Sequence, residues 1–234
     1  MNHYLYAIVD RLPARWRPPT AGILGASIVP RRFETMIVLA STIESVPAAG
    51  PRSLALHHDI VATVADAPAV LPLPYATVVP AAQLGEWIAM RRPLIEAGLA
   101  AVRGCVEMTV KLLRLDDTVT RPRPPHTDAA QAEPGERNLR GLAEMLAERA
   151  GLPRWQYRPS GGAGNVAASV AFLVPRADLP TFLARIAPVA SHAVGVAVVP
   201  TGPSAPASFS PDLSRSLAGR KSLEAWRSEQ RRVG

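Results

Sequence analysis

Prolines interrupt this chain so often that long regular elements are excluded from most of its length. The 234 residues include 24 prolines, and each one removes a backbone donor that a helix interior or a central strand needs. The chain still has the material for a core, because 48% of its residues are hydrophobic, which is typical of folded proteins. We therefore expect a folded protein built from many short strands and helices.

The strands predicted in the first half are short apolar runs. Residues 4–9, 23–29 and 35–41 are rich in β-branched and other apolar side chains, which favour strands. Residues 105–115 form the clearest strand, because apolar and polar side chains alternate with a period of two. The apolar positions of this strand are Val106, Met108, Val110 and Leu112, and its polar positions are Glu107, Thr109 and Lys111.

Helical periodicity appears between the strands. A first helix is predicted from Ser53, a good N-cap residue, to the break at Pro68, and a second over residues 81–103, which Pro93 kinks or splits. Residues 70–79 lie between them and are extended, with prolines that suit an edge strand. Further helices are predicted over residues 139–150 and 179–189, and further strands over residues 166–174 and 194–199.

A polar, Pro-rich stretch near the middle of the chain indicates a linker between two domains. The predicted parts are an N-terminal α+β domain over residues 1–116, a linker over 117–135, a C-terminal α+β domain over 136–211 and a basic tail over 212–234. The predicted fold class is α+β. The first domain is expected to be ferredoxin-like, with a mixed or antiparallel sheet and helices on one face, and the second to be smaller and to contain a β-α-β unit.

The positive charge is spread rather than concentrated in one patch. The net charge is +7, with 24 Arg and two Lys, and the basic residues concentrate near the two ends of the chain. Because the net charge is positive, a basic nucleic-acid-binding module stays open as an alternative. The spread of the charge and the lack of a recognition motif do not support it. The single cysteine, Cys105, fits a reducing cytoplasm. No apolar stretch of about 18 residues free of charge predicts a membrane span.

No constellation of side chains predicts catalysis or metal binding. A G-x-S-x-G motif is absent and Cys105 has no neighbouring histidine, so a structural thiol is the favoured interpretation. His57 and His58 precede Asp59, but adjacent histidines on a helix point about 100° apart and do not readily share one ion. We predict no catalytic residue, no cofactor and no metal. An enzymatic or small-ligand protein of the ferredoxin-like, dimeric α+β barrel type stays open as an alternative.

Four segments of the chain, taken in order, form a recognisable pattern. They are Y-L-Y-A-I-V at residues 4–9; H-D-I-V, V-L-P-L-P-Y-A-T-V-V and E-M-T-V-K within residues 58–115; the strand and helix of residues 166–186; and V-V-P-T-G-P-S-A-P-A-S-F at residues 198–209. In this order they resemble the GvpF/GvpL family of gas vesicle proteins. The chain departs from the family where L-P-Y-A replaces V-R-F-G, and where small residues replace much of an aromatic W-P-P-Y.

The resemblance implies a non-enzymatic accessory or minor structural protein, located in the cytoplasm and on the gas vesicle. Members of the family are thought to bind the major shell protein, which is GvpA-like, and other accessory proteins, and to assist nucleation and assembly. A sheet edge at residues 71–79 is then predicted to hold the shell protein by strand addition, with Tyr75 and Trp87 as anchors unless they are core residues. The predicted interaction residues are Leu73, Tyr75, Trp87, Glu107, Lys111, Pro203 and Phe209.

Overall fold

The structure, a computed structural model, describes residues 1–115, 134–160, 164–190, 193 and 195–213. These residues form two compact units. The first consists of Met1–Glu107 together with residues 204–213, and the second lies within Met108–Pro203. The predicted linker and basic tail fall almost wholly outside the described residues, and the domain boundaries drawn from the sequence stay a prediction.

The first unit is built on an antiparallel sheet of five strands. These strands are β1 (Asn2–Val9), β2 (Ile28–Phe33), β3 (Met36–Ile43), β4 (Val70–Pro72) and β5 (Val78–Pro80). Their order is β2–β3–β1–β4, and β5 also pairs with β1. The apolar run that begins the sequence thus becomes a central strand.

β4 and β5 form one interrupted edge beside β1. β4 pairs with the carboxyl-terminal end of β1, and β5 pairs with its amino-terminal end. Residues 73–77, which we call the edge segment, leave the ladder between them. The Leu73 N–H donates to the Tyr6 carbonyl and the Leu5 N–H to the Thr77 carbonyl, both at 2.9 Å. Prolines explain the interruption because they lack a donor, and the predicted edge position of this Pro-rich stretch is confirmed.

Two helices cover opposite faces of this first sheet. They are α1 (Pro51–Ala62) and α2 (Leu84–Val102). Val70 of β4 lies in one core cluster with Ile60 of α1. The next residue, Leu71, points to the other face, where it reaches Gly98 of α2. The sequence predicted helices on one face, but the inner strands are apolar on both faces and each face therefore needs a cover.

The helices of the first unit differ in detail from their predicted bounds. α1 begins at Pro51, whose missing N–H is no loss at a first helical position. Ser53 is therefore not the N-cap, and its hydroxyl donates to the Ala48 carbonyl at 3.2 Å. α2 continues through Pro93 and is not split. Among the described residues, no helix is long and apolar enough to cross a membrane.

The second unit contains an antiparallel sheet with the order β7–β8–β6–β9. Its elements are β6 (Cys105–Arg114), α3 (Pro134–Ala150), β7 (Trp155–Pro159), β8 (Val166–Pro175), α4 (Leu179–Ala190) and β9 (Val196–Ser204). α3 and α4 contact each other and both contact β8, so they share one face. The rings of Phe172 on β8 and Phe182 on α4 lie 5.2 Å apart. The predicted α+β class in two parts is confirmed, and β8, α4 and β9 provide the β-α-β unit.

Candidate functional site

Four aromatic side chains meet where β1, α1 and the edge segment come together. Tyr4 and Tyr6, two residues apart on β1, place their ring centroids 4.9 Å apart. The His57 ring of α1 lies 5.7 Å from each of them and 5.8 Å from the ring of Tyr75. Both β1 tyrosines are fully buried and His57 is 2% exposed, so this aromatic cluster is part of the core of the first unit.

Hydrogen bonds tie the aromatic cluster to the edge segment. The Ala76 N–H donates to the Tyr4 hydroxyl oxygen at 3.2 Å, and we therefore assign the hydroxyl proton to the bond with His57 Nδ1, which is 2.8 Å away. The His57 Nε2–H donates to the Leu73 carbonyl at 3.0 Å. One neutral tautomer of His57 satisfies all three bonds. We call the pair Tyr4 and His57 the clamp.

Burial keeps both members of the clamp uncharged near neutral pH. Removal from water lowers the pKa of His57, and the neighbouring His58 lowers it further, while the bond to the Leu73 carbonyl partly offsets both effects. Burial raises the pKa of Tyr4. The clamp is therefore a neutral hydrogen-bonded pair at neutral pH, with both ring nitrogens of His57 engaged.

Tyr6 holds a second loop to the same sheet. Its hydroxyl lies 2.9 Å from Ser41 Oγ on β3 and accepts the Ile23 N–H at 2.8 Å. A Cβ atom on Gly22 would lie 2.6 Å from Ser41 Oγ and would also collide with the Tyr6 hydroxyl, so this close approach requires glycine. The strand predicted over residues 23–29 is wrong at its start, because residues 23–25 form a short 3-10 helix. The hydrogen bond from the Ile23 N–H to the Tyr6 hydroxyl holds this helix to the sheet.

The outer side of the aromatic cluster is apolar and partly exposed. Tyr75 is half-buried, and its hydroxyl donates to the Ala48 carbonyl at 2.9 Å. Val46 and Leu54, close in sequence to Ala48 and Ser53, are 63% and 38% exposed, and Pro74 is exposed. We call Val46, Leu54, Pro74 and Tyr75 the Tyr75 surface. It combines one aromatic ring, whose hydroxyl is bound to Ala48, with exposed apolar residues that lie near Tyr75, Ala48 or Ser53 in sequence.

Residues 204–213, which we call the return segment, close the first unit along α2. The buried Arg91 donates its Nε–H to the Leu213 carbonyl at 2.8 Å. A Cβ atom on Gly98 would lie 2.9 Å from the Pro211 ring, so the segment passes α2 at a distance that only glycine allows. The sequence assigned residues up to 211 to the second domain, whereas the return segment packs in the first unit.

Glu107 holds the middle of the return segment. Ser208 donates its N–H to Glu107 Oε2 at 2.8 Å and its hydroxyl to Oε1 at 2.7 Å. This explains why Glu107 is only 6% exposed although it lies among the polar positions of β6. A buried carboxylate is tolerated where hydrogen bonds replace its lost hydration.

Three of the predicted interaction residues are buried. Leu73, Glu107 and Phe209 are 3%, 6% and 1% exposed. The Leu73 carbonyl serves the clamp and Glu107 binds the return segment. Their contacts are internal to the first unit, and an interaction role for them stays a prediction.

The other four predicted residues are exposed or half-buried. Tyr75 belongs to the α1 side of the first sheet, whereas Trp87 belongs to α2 on the opposite face. The guanidinium carbon of Arg91 lies 4.5 Å from the centroid of the half-buried Trp87 ring. Lys111 and Pro203 are exposed positions of the second unit. Tyr75 and Trp87 therefore lie on opposite faces of the first sheet, and their role as anchors stays a prediction.

The clamp is the feature that the sequence analysis missed. His57 was weighed with His58 as a metal ligand, and the resemblance used His58. In the structure His58 is exposed, and His57 lies on the buried stripe of α1 with Ile60 and Val61. Its spacing of three and four residues from these apolar positions was a usable signal. Within the described ranges, no group of three or more His, Cys, Asp or Glu could hold a metal ion.

Comparisons with known proteins agree with this fold. Residues 2–152 match the family described as gas vesicle synthesis protein GvpL/GvpF. No curated protein sequence matches the chain. The crystal structure of the gas vesicle protein GvpF from Microcystis aeruginosa is 13% identical with a TM-score of 0.66, covering 89% of this chain and 98% of that chain. The crystal structure of the gas vesicle protein GvpF from Anabaena sp. PCC7120 is 17% identical with a TM-score of 0.68, covering 89% of this chain and 95% of that chain.

The two structural likenesses concern the fold, and the family match concerns the sequence. The matched residues include two of the four segments that carry the resemblance, namely the first strand and the block from the end of α1 through the edge segment to β6, while residues 166–186 and 198–209 lie outside the match. The matched residues make up more than half of the chain. The predicted resemblance is confirmed, and the chain belongs to the GvpL/GvpF family of gas vesicle synthesis proteins.

Proposed function

We propose that this protein is a gas vesicle accessory or minor structural protein that binds the major shell protein and assists nucleation and assembly. Other accessory proteins of the vesicle are its further partners, and the cytoplasm and the vesicle are its location. Membership of the GvpL/GvpF family supports the proposal. The role is one of binding rather than catalysis, because the buried polar groups of the aromatic cluster are engaged in holding loops.

The Tyr75 surface is the proposed docking site, and one observation carries it. The Tyr75 ring is backed by the rings of Tyr4 and His57, at 5.9 and 5.8 Å, and its hydroxyl is fixed to the Ala48 carbonyl. A preorganised aromatic ring with apolar neighbours has the properties of an interface hot spot, because little side-chain entropy is lost on binding. A shell subunit with an apolar face would cover it.

Side-chain docking is favoured here over the strand addition predicted from the sequence. An added strand needs a row of free backbone donors and acceptors along the edge. Pro72, Pro74 and Pro80 supply no N–H, and the Leu73 and Ala76 amides are already used within the unit. The edge therefore presents few donors, and the ring of Tyr75 is left as the principal contact.

The proposal is tested by binding of the purified protein to the major shell protein in a quantitative pull-down. Tyr75→Ala is expected to weaken binding by about tenfold or more, as for a truncated hot-spot aromatic. Tyr75→Phe keeps the ring and should retain most of the affinity. Trp87→Ala changes the opposite face of the sheet, and Lys111→Ala changes the second unit, so both should bind like the unaltered protein.

A folded Tyr75→Ala variant that binds at full strength would overturn the docking site. Loss of binding in Trp87→Ala with none in Tyr75→Ala would move the site to α2. Failure of the unaltered protein to bind the shell protein at all would remove the proposed function itself.

A further inference from the structure

We propose that the clamp is a pH-sensitive switch, which holds the edge segment while His57 is neutral and releases it when His57 becomes an imidazolium. The consequence for shell binding rests on the proposed function, because the edge segment carries Tyr75. The switch itself depends only on the hydrogen bonds of the first unit.

The hydrogen-bond directions of the clamp leave no place for another proton. The Tyr4 oxygen already accepts the Ala76 N–H at 3.2 Å and gives its own proton to His57 Nδ1 at 2.8 Å. The other ring nitrogen donates to the Leu73 carbonyl at 3.0 Å. If Nδ1 carried a proton, two donors would face the Tyr4 oxygen and the hydroxyl proton would lose its acceptor. An unsatisfied buried donor beside a buried charge disfavours the closed arrangement.

The groups that face His57 do not stabilise an imidazolium. They are Tyr4 and Tyr6 from β1, Tyr75 from the edge segment and His58 from α1 itself. Three of these are phenols and the fourth is a histidine. Burial and His58 lower the pKa of His57 in the closed state, in agreement with this geometry.

The edge segment is poised to leave because its own backbone favours release. Ala76 has a φ of +61°, a left-handed conformation that is unfavourable for a residue with a Cβ atom. Its N–H is the group that the clamp binds. Pro72 precedes the segment and Pro74 lies within it, and neither adds a ladder donor. Once the bonds of Tyr4 and His57 are lost, the hydrogen bonds of Leu73 and Thr77 to β1 and the bond of the Tyr75 hydroxyl to the Ala48 carbonyl are left to oppose relaxation of Ala76.

Amide hydrogen exchange of the full chain tests the switch without any partner. Protection factors, corrected for intrinsic exchange, are measured for Leu73 and Ala76 between about pH 7.5 and about pH 5.5. They should fall by up to about tenfold, because the released state takes up a proton near the ordinary histidine pKa, whereas the pKa of His57 in the closed state is lower. Amides of the β2–β3 ladder and of the β7–β8 ladder should keep their protection, which separates local release from unfolding.

A matched pair of variants identifies the titrating group. His57→Gln has no titrating ring, so protection of Ala76 should be lower than in the unaltered protein and independent of pH. His58→Gln changes the exposed neighbour and should keep the pH dependence. Protection of Ala76 that is constant with pH in the unaltered protein overturns the switch, as does a tenfold change that persists in His57→Gln. If exchange follows the prediction but the shell protein does not bind, the switch stands and the proposed function fails.

Discussion

Helices cover the two sheets of this protein in different ways. This difference affects which strands have apolar residues in succession along the sequence. In the first unit α1 and α2 lie on opposite faces, and β1 is buried at every residue after Asn2. In the second unit α3 and α4 share one face; its inner strand β8 is buried over residues 170–174, whereas its edge strand β9 has no fully buried residue. A strand covered on both faces needs apolar side chains in succession, whereas an edge strand tolerates exposure and proline.

The same difference governs the buried polar groups. In the first unit, His57, Arg91 and Glu107 lie in the interior, and each donates to or accepts from a backbone group of a loop or of the return segment. Full coverage of the sheet brings these connections into the core, where an unpaired polar group would be costly. Buried polar side chains in this unit therefore fix irregular segments.

Truncation of one apolar residue in each unit tests the comparison most strongly. Ile8 on β1 is 0% exposed, whereas Val199 on β9 is 37% exposed. Ile8→Ala is expected to lower the free energy of unfolding by about 2–5 kcal/mol, since a cavity forms between two covered faces. Val199→Ala should change it by less than about 0.5 kcal/mol. Urea unfolding measures the change in free energy of unfolding for each variant, and hydrogen exchange shows in which unit the change occurs. Equal losses of stability in the two variants would refute the difference in coverage.

Alanine at two helical glycines should have opposite effects in the two units. At Gly98 the new Cβ atom would meet the Pro211 ring at 2.9 Å, so we expect a loss of about 1–3 kcal/mol from overpacking. A Cβ atom added at Gly141 of α3 would meet no other part of the described chain within 4 Å, so the better helix propensity of alanine should add about 0.5–1 kcal/mol. Thermal or urea unfolding gives the sign. A stabilised Gly98→Ala variant would show that the return segment is not held against α2.

The smallest expected effect is the pH dependence of the first unit. His57 has a pKa below its ordinary value of 6.5 in the folded state, so the unfolded chain binds more protons as the pH falls through that value. Stability is therefore full above about pH 6.5 and declines below it, by at most about 1.4 kcal/mol for each pH unit, until the folded-state pKa is reached. Urea unfolding should show a shallower slope in His57→Gln than in the unaltered protein, and the slope that is left in the variant includes the buried His3, whose pKa is also lowered by burial.

Several elements were predictable because their signals are local. The strands predicted over residues 4–9, 105–115 and 166–174 correspond to β1, β6 and β8. Their apolar runs or alternation need no distant partner to be recognised. The strand predicted over residues 23–29 overlaps only the start of β2, which contains Pro30, the half-buried Arg31 and the exposed Arg32, and no strand is predicted at β7. β2 is a strand because it pairs with β3, and β7 is a strand because it pairs with β8. The pattern of residues within each segment does not reveal these partners.

The candidate site was less predictable than the elements. Tyr75 is singled out in the sequence as an aromatic residue of a Pro-rich edge; it is half-buried, and its interaction role stays a prediction. The roles of His57 and Glu107 were not foreseen, because each depends on a backbone group far away in sequence. His57 binds the Leu73 carbonyl across 16 residues, and Glu107 binds Ser208 across 101. Such bonds follow from the packing of the elements rather than from a motif.

By itself, the sequence determined the α+β class, the positions of the main apolar strands and the resemblance to the GvpL/GvpF family, because these rest on periodicity and on the order of short segments. Only the tertiary structure decided that α1 and α2 cover opposite faces, that residues 204–213 return to the first unit, and that Tyr4 and His57 hold the edge segment. These outcomes depend on which buried donor meets which acceptor, and that is settled when the strands pair and the helices pack.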